Sequence, residues 1–425
     1  MSRARNGAWL AFLAVSTLLG SACALRGPAE SPSPQSRPEL TRRVAADSTD
    51  TSAASSLAVL DVLEGQPEAA TSRLEAVNQL VPRDPGVPVL LALADEANGD
   101  YPRARTTYTA YASEHVGRLG RFARSRGAAI APAAFRLETR QPGTARSRPI
   151  DPDAIAVMPF ALGAGEPGGA AAGAALAALL ASDLRSAGQL TVDDQRVRVT
   201  VDELGFAPGT YADLSVAMSV GTVVRAGSVV QGSTSVLSPD SVVWQLTLVS
   251  LGDGPAVRVS QIAMHAAAAD PIAVHRRLSV LARRLIEGPP SPGFLGPRHT
   301  ESWDALAALG EALIDLDGGD LAAAEAAAKT ALDLEPDFPS ALGVLERVDL
   351  IRRTSPLELN AAVVEVARLG ALQRSLLGLW GNSSSAQRMA SERVGRRERA
   401  LLSDVLGLDR IEGGTLVDLT LHTDP

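Results

Sequence analysis

The chain has 425 residues, 48 acidic against 40 basic side chains, a net charge of −8 and a single cysteine. A negative balance argues against nucleic acid as the main partner. One cysteine excludes internal disulfides and thiolate metal clusters. Lys329 is the only lysine, which excludes phosphate-loop, kinase-type and S-x-x-K lysine sites, since Lys329 itself stands in a plain helical pattern.

Arg3 and Arg5 precede an apolar run of residues 8–20, "AWLAFLAVSTLLG". That run is too short for a mature membrane-spanning helix and suits an export signal. It ends in "LLGSAC", with Gly20, Ser21 and Ala22 directly before Cys23. The stretch resembles a bacterial lipobox, which implies lipidation of Cys23 after removal of residues 1–22. Leu19 stands four residues before the cysteine where the pattern has three. The Ala22-x-Ala24 pattern also allows ordinary cleavage and a soluble exported product. No later segment reaches 18 uncharged apolar residues.

Residues 23–50 are rich in Pro, Ser and charge and read as a flexible tether. An internal repeat follows over 51–135. Gly65 and Gly99 lie 34 residues apart, and the same shift pairs Leu57 with Leu91, Ala58 with Ala92, Ala70 with Ala104, Leu74 with Tyr108 and Val77 with Tyr111. The pattern resembles tetratricopeptide repeats, pairs of helices crossing closely at small residues. Pro82 fills the closing proline position of the first copy, and Val116 stands there in the second. Two copies bury little core, so further helices must cap them, and "EHVGRLGRFARSRGAAIAPAAF" supplies one. The resemblance implies peptide binding on the face of the first helices, making Val89, Leu93 and Glu96 candidate contacts, with simple packing as the alternative. Arg118, Arg121, Arg124, Arg126, Arg136, Arg140, Arg146 and Arg148 share their stretch with one acid, Glu138. They read as a solvated face running into a linker over 136–149, or as a contact for an anionic surface such as lipid headgroups, with Arg118, Arg121 and Arg124 as the candidates.

Residues 150–290 differ in character. "AIAVMPF" reads as a strand, and "GAALAALLASDLRSAG" as a helix with Leu176, Leu179, Leu180 and Leu184 on one face and Gly188 after it. Gly163, Gly165 and Gly168 between them spell G-x-G-x-x-G, with Asp193 and Asp194 further on. Pro159 suits only a strand end or an edge strand, and the acids come later than a ribose contact requires. The glycines therefore read as loop residues, and Asp193 and Asp194 as a solvated turn rather than a catalytic pair. "RVRVTVDEL" alternates as an exposed strand, "TYADLSVAMSVG" reads as a short helix, and "TVVRAGSVVQG", "SVVWQLTLVSL" and "AVRVSQIAMH" as three strands of an antiparallel meander. "DPIAVHRRLSVLARRLIEG" closes the unit as a helix, with Asp270 as N-cap, Pro271 first and Gly288 after its end. This order resembles the amino-terminal domain of TolB and the related domain of curli-secretion lipoproteins, through "IAVMPF", "LAALLASDL" and "VVRAGSVVQGSTS". The resemblance implies an envelope protein that assembles with other proteins, and it brings no catalytic residues.

A third repeat copy spans Trp303 to Leu342, with Leu309-Gly310, Gly319-Asp320, Ala324, Ala331 and Pro336 near repeat spacing and one extra turn residue. A helix from Pro339 to about Arg353 should stack on it, within a helical unit over 291–353. Residues 354–425 read as helical, with no assigned role. The histidines, His115, His265, His275, His299 and His422, form no H-x-x-x-H pair, so a metal site lacks sequence support, and His275 reads as a boundary residue. G-x-S-x-G is absent.

The sequence thus predicts an α/β (mixed sheet) central domain flanked by all-α tetratricopeptide-like helical hairpins. It predicts a lipid-anchored envelope protein, held at the periplasmic face of the outer membrane, that binds other proteins or peptides as an adaptor without catalysis, cofactor or metal. A ring-forming secretion component of the curli-pore type is the alternative within that class. A periplasmic cofactor-binding or hydrolytic enzyme is the alternative outside it.

Overall fold

A computed structural model describes residues 36–141, 149–162, 169–238, 241–251, 257–267, 271–288, 299–353 and 358–381. Among them the chain is mostly helical, with fourteen α-helices and a four-stranded mixed sheet. None of the described helices is long and apolar enough to cross a membrane. Cys23, Gly163, Gly165, Gly168, Arg146, Arg148, Asp270 and His422 lie outside the described residues.

The amino-terminal part stacks α1 (Arg37–Ala46), α2 (Thr51–Leu63), α3 (Pro67–Leu80), α4 (Val87–Ala97), α5 (Tyr101–Glu114) and α6 (Arg118–Arg140). Starts are set by local chemistry: Asp50 and Asp100 accept the backbone N–H of Ala53 and Arg103, and Pro67, Pro88 and Pro102 occupy first-turn positions. The two hairpins turn alike. Gly65 and Gly99 adopt φ +74° and +75°. The next residue in each case donates to the carbonyl five back, Gln66 to Asp61 at 2.7 Å and Asp100 to Asp95 at 2.9 Å, which is the geometry of a Schellman C-cap. Every apolar pair expected from the 34-residue shift is buried.

Three boundaries differ from expectation. The tether over 23–50 ends in helix α1, because Leu40 buries against Ala53 and Leu57. The linker over 136–149 begins only after α6, whose last two turns bury Phe135 and Thr139 against Val199 and Thr200. The "TVV" at Thr222–Val224 completes a helix, not a strand, and Arg225 at φ +64° caps it.

The central part runs β1 (Asp151–Val157), α7 (Gly169–Ser186), α8 (Asp194–Glu203), α9 (Leu214–Val224), β2 (Ala226–Ser238), β3 (Ser241–Ser250), β4 (Arg258–Ala267) and α10 (Pro271–Glu287). Sheet order is β1-β2-β3-β4, with β1 parallel to β2 and the last three an antiparallel meander. Pro159 follows an edge strand, as its missing N–H requires. The expected strand "RVRVTVDEL" is instead helix α8. Asp193 caps it by accepting the Gln195 N–H at 3.0 Å, and Asp194 pairs with Arg198 one turn on. Val197 and Val201 pack toward the sheet, Val199 toward α6 and Arg198 toward Asp317, so α8 is buried on several sides. A helix covered this way carries no clean 3.6-residue signature.

α11 (Trp303–Gly318), α12 (Leu321–Leu334) and α13 (Pro339–Arg352) form a further hairpin and its cap. Gly319 at φ +86° repeats the same turn, with Asp320 donating to the Asp315 carbonyl. This unit is not a separate body. Leu306, Leu309 and Leu313 share one apolar core with Leu176, Leu179 and Leu180 of α7, Val274 and Leu278 of α10, and Val230, Trp244 and Leu246 of the sheet. Trp244 and Trp303 stack with ring centroids 6.0 Å apart. The other sheet face packs Val229 and Val249 against α8 and α9.

Candidate functional site

The last described helix, α14 (Leu359–Gly381), lies back across the amino-terminal stack, touching α2, α4 and α6. These are the first helices of each successive pair. Ala362, Val363, Val366 and Leu369 of α14 are buried at 5% exposure or less in the same core as Ala58, Leu90 and Phe122. Their spacing, i, i+1, i+4 and i+7, puts them on one stripe of the helix. Gly370 meets Gly86 backbone to backbone, so that a Cβ added at Gly370 would lie 3.0 Å from the Gly86 Cα. One turn on, Arg374 Nη1 donates to both oxygens of Asp84 at 2.9 and 3.0 Å. Asp84 Oδ1 also accepts the N–H groups of Gly86 and Val87, at 2.8 and 3.1 Å. A helix is thus held in a groove by an apolar stripe, a close glycine crossing and a terminal ion pair.

The candidate contacts Val89, Leu93 and Glu96 do not form an open face in this arrangement. Val89 and Leu93 have no exposed surface. Glu96 accepts the Arg126 guanidinium at 3.0 and 3.1 Å through Nε, and the Tyr108 hydroxyl at 3.2 Å. Val89 and Leu93 lie in the core that α4 shares with α14, so a partner could reach them only by displacing that helix. The arginine stretch also divides. Arg118, Arg121 and Arg124 stay exposed, with Arg124 donating to the Ala112 carbonyl and Arg121 to that of Val116. Arg126 is buried on Glu96, Arg136 donates to the Asp317 carbonyl at 2.7 Å, and Arg140 pairs with Glu203. Those three are internal ties rather than one continuous charged face.

Asp193 and Asp194 form no solvated turn. Asp193 pairs with Arg105 at 3.3 Å, whose guanidinium lies 4.2 Å above the Phe135 ring. Asp194 and Asp317 flank Arg198, with Arg198 Nη1 2.7 Å from Asp194 and Nε 2.6 Å from Asp317. Gln195 donates to Asp317 at 2.9 Å and accepts from Arg347. This buried network borders a cleft of about 190 Å³ lined by Ser182, Arg185, Asp194, Leu313, Ser340 and Arg347. It is smaller than ordinary small-molecule sites, which begin at about 300 Å³.

His275 is not a boundary residue. It is buried at 4% exposure beside Asp183 and His299. Asp183 comes from α7, His275 from α10, and His299 from the segment entering α11. No spacing rule could have found them, because 92 and 24 residues separate neighbours in the chain, counted from their positions. Asp61 and Asp95 were also missed. They recur 34 residues apart and are each 1% exposed, Asp61 bound by Arg37 and Arg73, Asp95 by Arg103 and the Thr71 hydroxyl. Acids at equivalent positions inside an apolar repeat were the available signal.

No protein-family model matches this sequence, and no curated protein matches it significantly.

Proposed function

We propose that the chain is an exported protein anchored in the cell envelope through a lipid on Cys23, acting as a non-catalytic adaptor that takes a helix of another envelope protein. In this reading the helical pairs are tetratricopeptide-like and the sheet unit is TolB-like. The observation that carries it is the seat of α14 across α2, α4 and α6, a groove fitted to a helix with small apolar residues along one stripe. A glycine at the crossing and an arginine one turn later complete that fit. A partner helix with the same features would compete with α14 for the same residues, Gly86 and Asp84 above all.

The experiment is crosslinking in native membranes with the intact chain and with a chain lacking residues 359–425. The shortened chain should capture more of one envelope protein, and a synthetic peptide of residues 359–381 should displace it. Capture that is equal in both chains, or indifferent to the peptide, sinks the proposal. The anchor is tested separately by labelling with a palmitate analogue, which Cys23→Ala should abolish.

A further inference from the structure

The carboxylate of Asp183 is enclosed between α7 and α10, with its side chain 7% exposed. Its Oδ1 lies 2.7 Å from His299 Nε2, and its Oδ2 lies 3.5 Å from His275 Nε2. One donor atom from each of the three side chains lies within 4.8 Å of the other two. The imidazole rings meet edge to face with centroids 4.5 Å apart. Ser279, one turn beyond His275 on α10, donates its hydroxyl to Asp183 Oδ2.

A carboxylate buried this deeply requires a positive counterpart. Among the described residues, Asp183 faces these two imidazoles as ion-pair partners. One imidazolium, on His299, would answer the charge and use the 2.7 Å contact. It would not account for the second imidazole turning its Nε2 to the same carboxylate, at a separation beyond a well-made N–H···O bond. Protonating both rings would crowd two positive charges within 4.5 Å of each other. A divalent ion answers every part of the arrangement, because two neutral imidazoles and one carboxylate are its donor set. Donors about 2.0–2.2 Å from one tetrahedral ion stand roughly 3.4 Å apart, between the shortest and longest separations seen here. The Ser279 hydroxyl then orients the carboxylate through Oδ2, as a hydrogen-bonding neighbour of a metal ligand does.

We propose that Asp183, His275 and His299 bind one divalent transition-metal ion of the zinc type, which fastens the entry of α11 to α7 and α10. The three ligands come from three elements that the ion would join, and they leave the fourth tetrahedral position to water.

The full chain, stripped with chelator and titrated with zinc chloride, should retain one zinc per chain through gel filtration, measured by elemental analysis. Its melting temperature should rise by several degrees, as for any ligand that binds only the folded state. Cobalt(II) in place of zinc should give the visible absorption of a four-coordinate site. His299→Ala, at the more exposed edge of the cluster, should lose the bound metal, the thermal shift and the cobalt spectrum, while still folding. His265→Ala, on the exposed side of β4, should keep all three. Zinc retention that is substoichiometric, or undiminished in His299→Ala, overturns the assignment. So does a cluster whose stability responds to acidification and not to zinc, the mark of an imidazolium pair.

Discussion

Arg198 and Asp317 form a two-point ion pair inside the protein: Nε lies 2.6 Å from Oδ2 and Nη2 lies 3.3 Å from Oδ1. The pair joins α8, which covers one sheet face, to the end of α11, which packs on the other side of α7. Removing one partner leaves a buried charge short of its counter-ion, which costs far more than the intact pair contributes. Asp317→Ala is expected to lower unfolding free energy by about 3 kcal/mol, read from urea denaturation. Asp317→Asn, which keeps an acceptor for Gln195 and Arg198, should lose clearly less. Equal losses from the two substitutions would show that the missing charge, and not the missing acceptor, carries the cost.

Glycine substitutions should separate close packing from backbone strain. A Cβ at Gly310 would lie 1.8 Å from the Ala171 carbonyl oxygen, so α11 could not hold its distance from α7. Gly310→Val is expected to cost about 3 kcal/mol or more and to expose the core shared by sheet and hairpin, visible as dye binding. Gly65 has open space around it and only its φ of +74° to defend. Gly65→Ala should cost about 1 kcal/mol. A Gly310 variant no worse than the Gly65 variant would contradict the observed helix crossing.

Asp95 gives stability a pH dependence of known sign. Burial pushes its carboxyl up to about 6, against the pull of Arg103. The ordinary unfolded value is about 3.9, so between the two the folded chain holds the proton more tightly. Asp95 therefore contributes stability that is full below about pH 4 and is lost as pH rises through about 6. Asp95→Asn should remove that dependence. Denaturation at about pH 4.5 and pH 7.5 should show the variant gaining on the wild type at the higher pH. A difference that stays constant would refute the assignment.

The seat of α14 should loosen in two distinguishable steps. Arg374 is partly exposed, so Arg374→Ala should cost under about 1 kcal/mol while speeding limited proteolysis near residues 358–374. Asp84→Ala also removes the acceptor for the first N–H groups of α4, and should cost about 2 kcal/mol in total. Gly370→Leu, which cannot approach Gly86, should detach the helix while leaving the amino-terminal hairpins folded by circular dichroism. Unchanged proteolysis in all three would mean that α14 is not held by these contacts.

Local periodicity and turn chemistry were sufficient for much of this fold. The 34-residue shift fixed both amino-terminal hairpins, because Gly65 and Gly99 are forced by a left-handed turn and Ala58 and Ala92 by close crossing. The meander β2–β4 followed from alternation and turn residues, and the end of β1 from Pro159, which lies just beyond it. The signal failed where burial came from several directions. Helix α8 looked like a strand because its valines serve different cores and its arginine is drawn inward by Asp317, a residue far away in the chain. Val89 and Leu93 looked available because nothing local announces that α14 returns to their core, and Glu96 because nothing local announces Arg126. The meeting of Asp183, His275 and His299 likewise depends on how α7, α10 and the entry to α11 pack, and no spacing in the sequence encodes it. Sequence alone determined the elements whose causes lie within a turn or a repeat. Tertiary structure decided which faces are covered and which charges meet, because those depend on contacts between segments that lie apart in the chain and meet only when the elements pack.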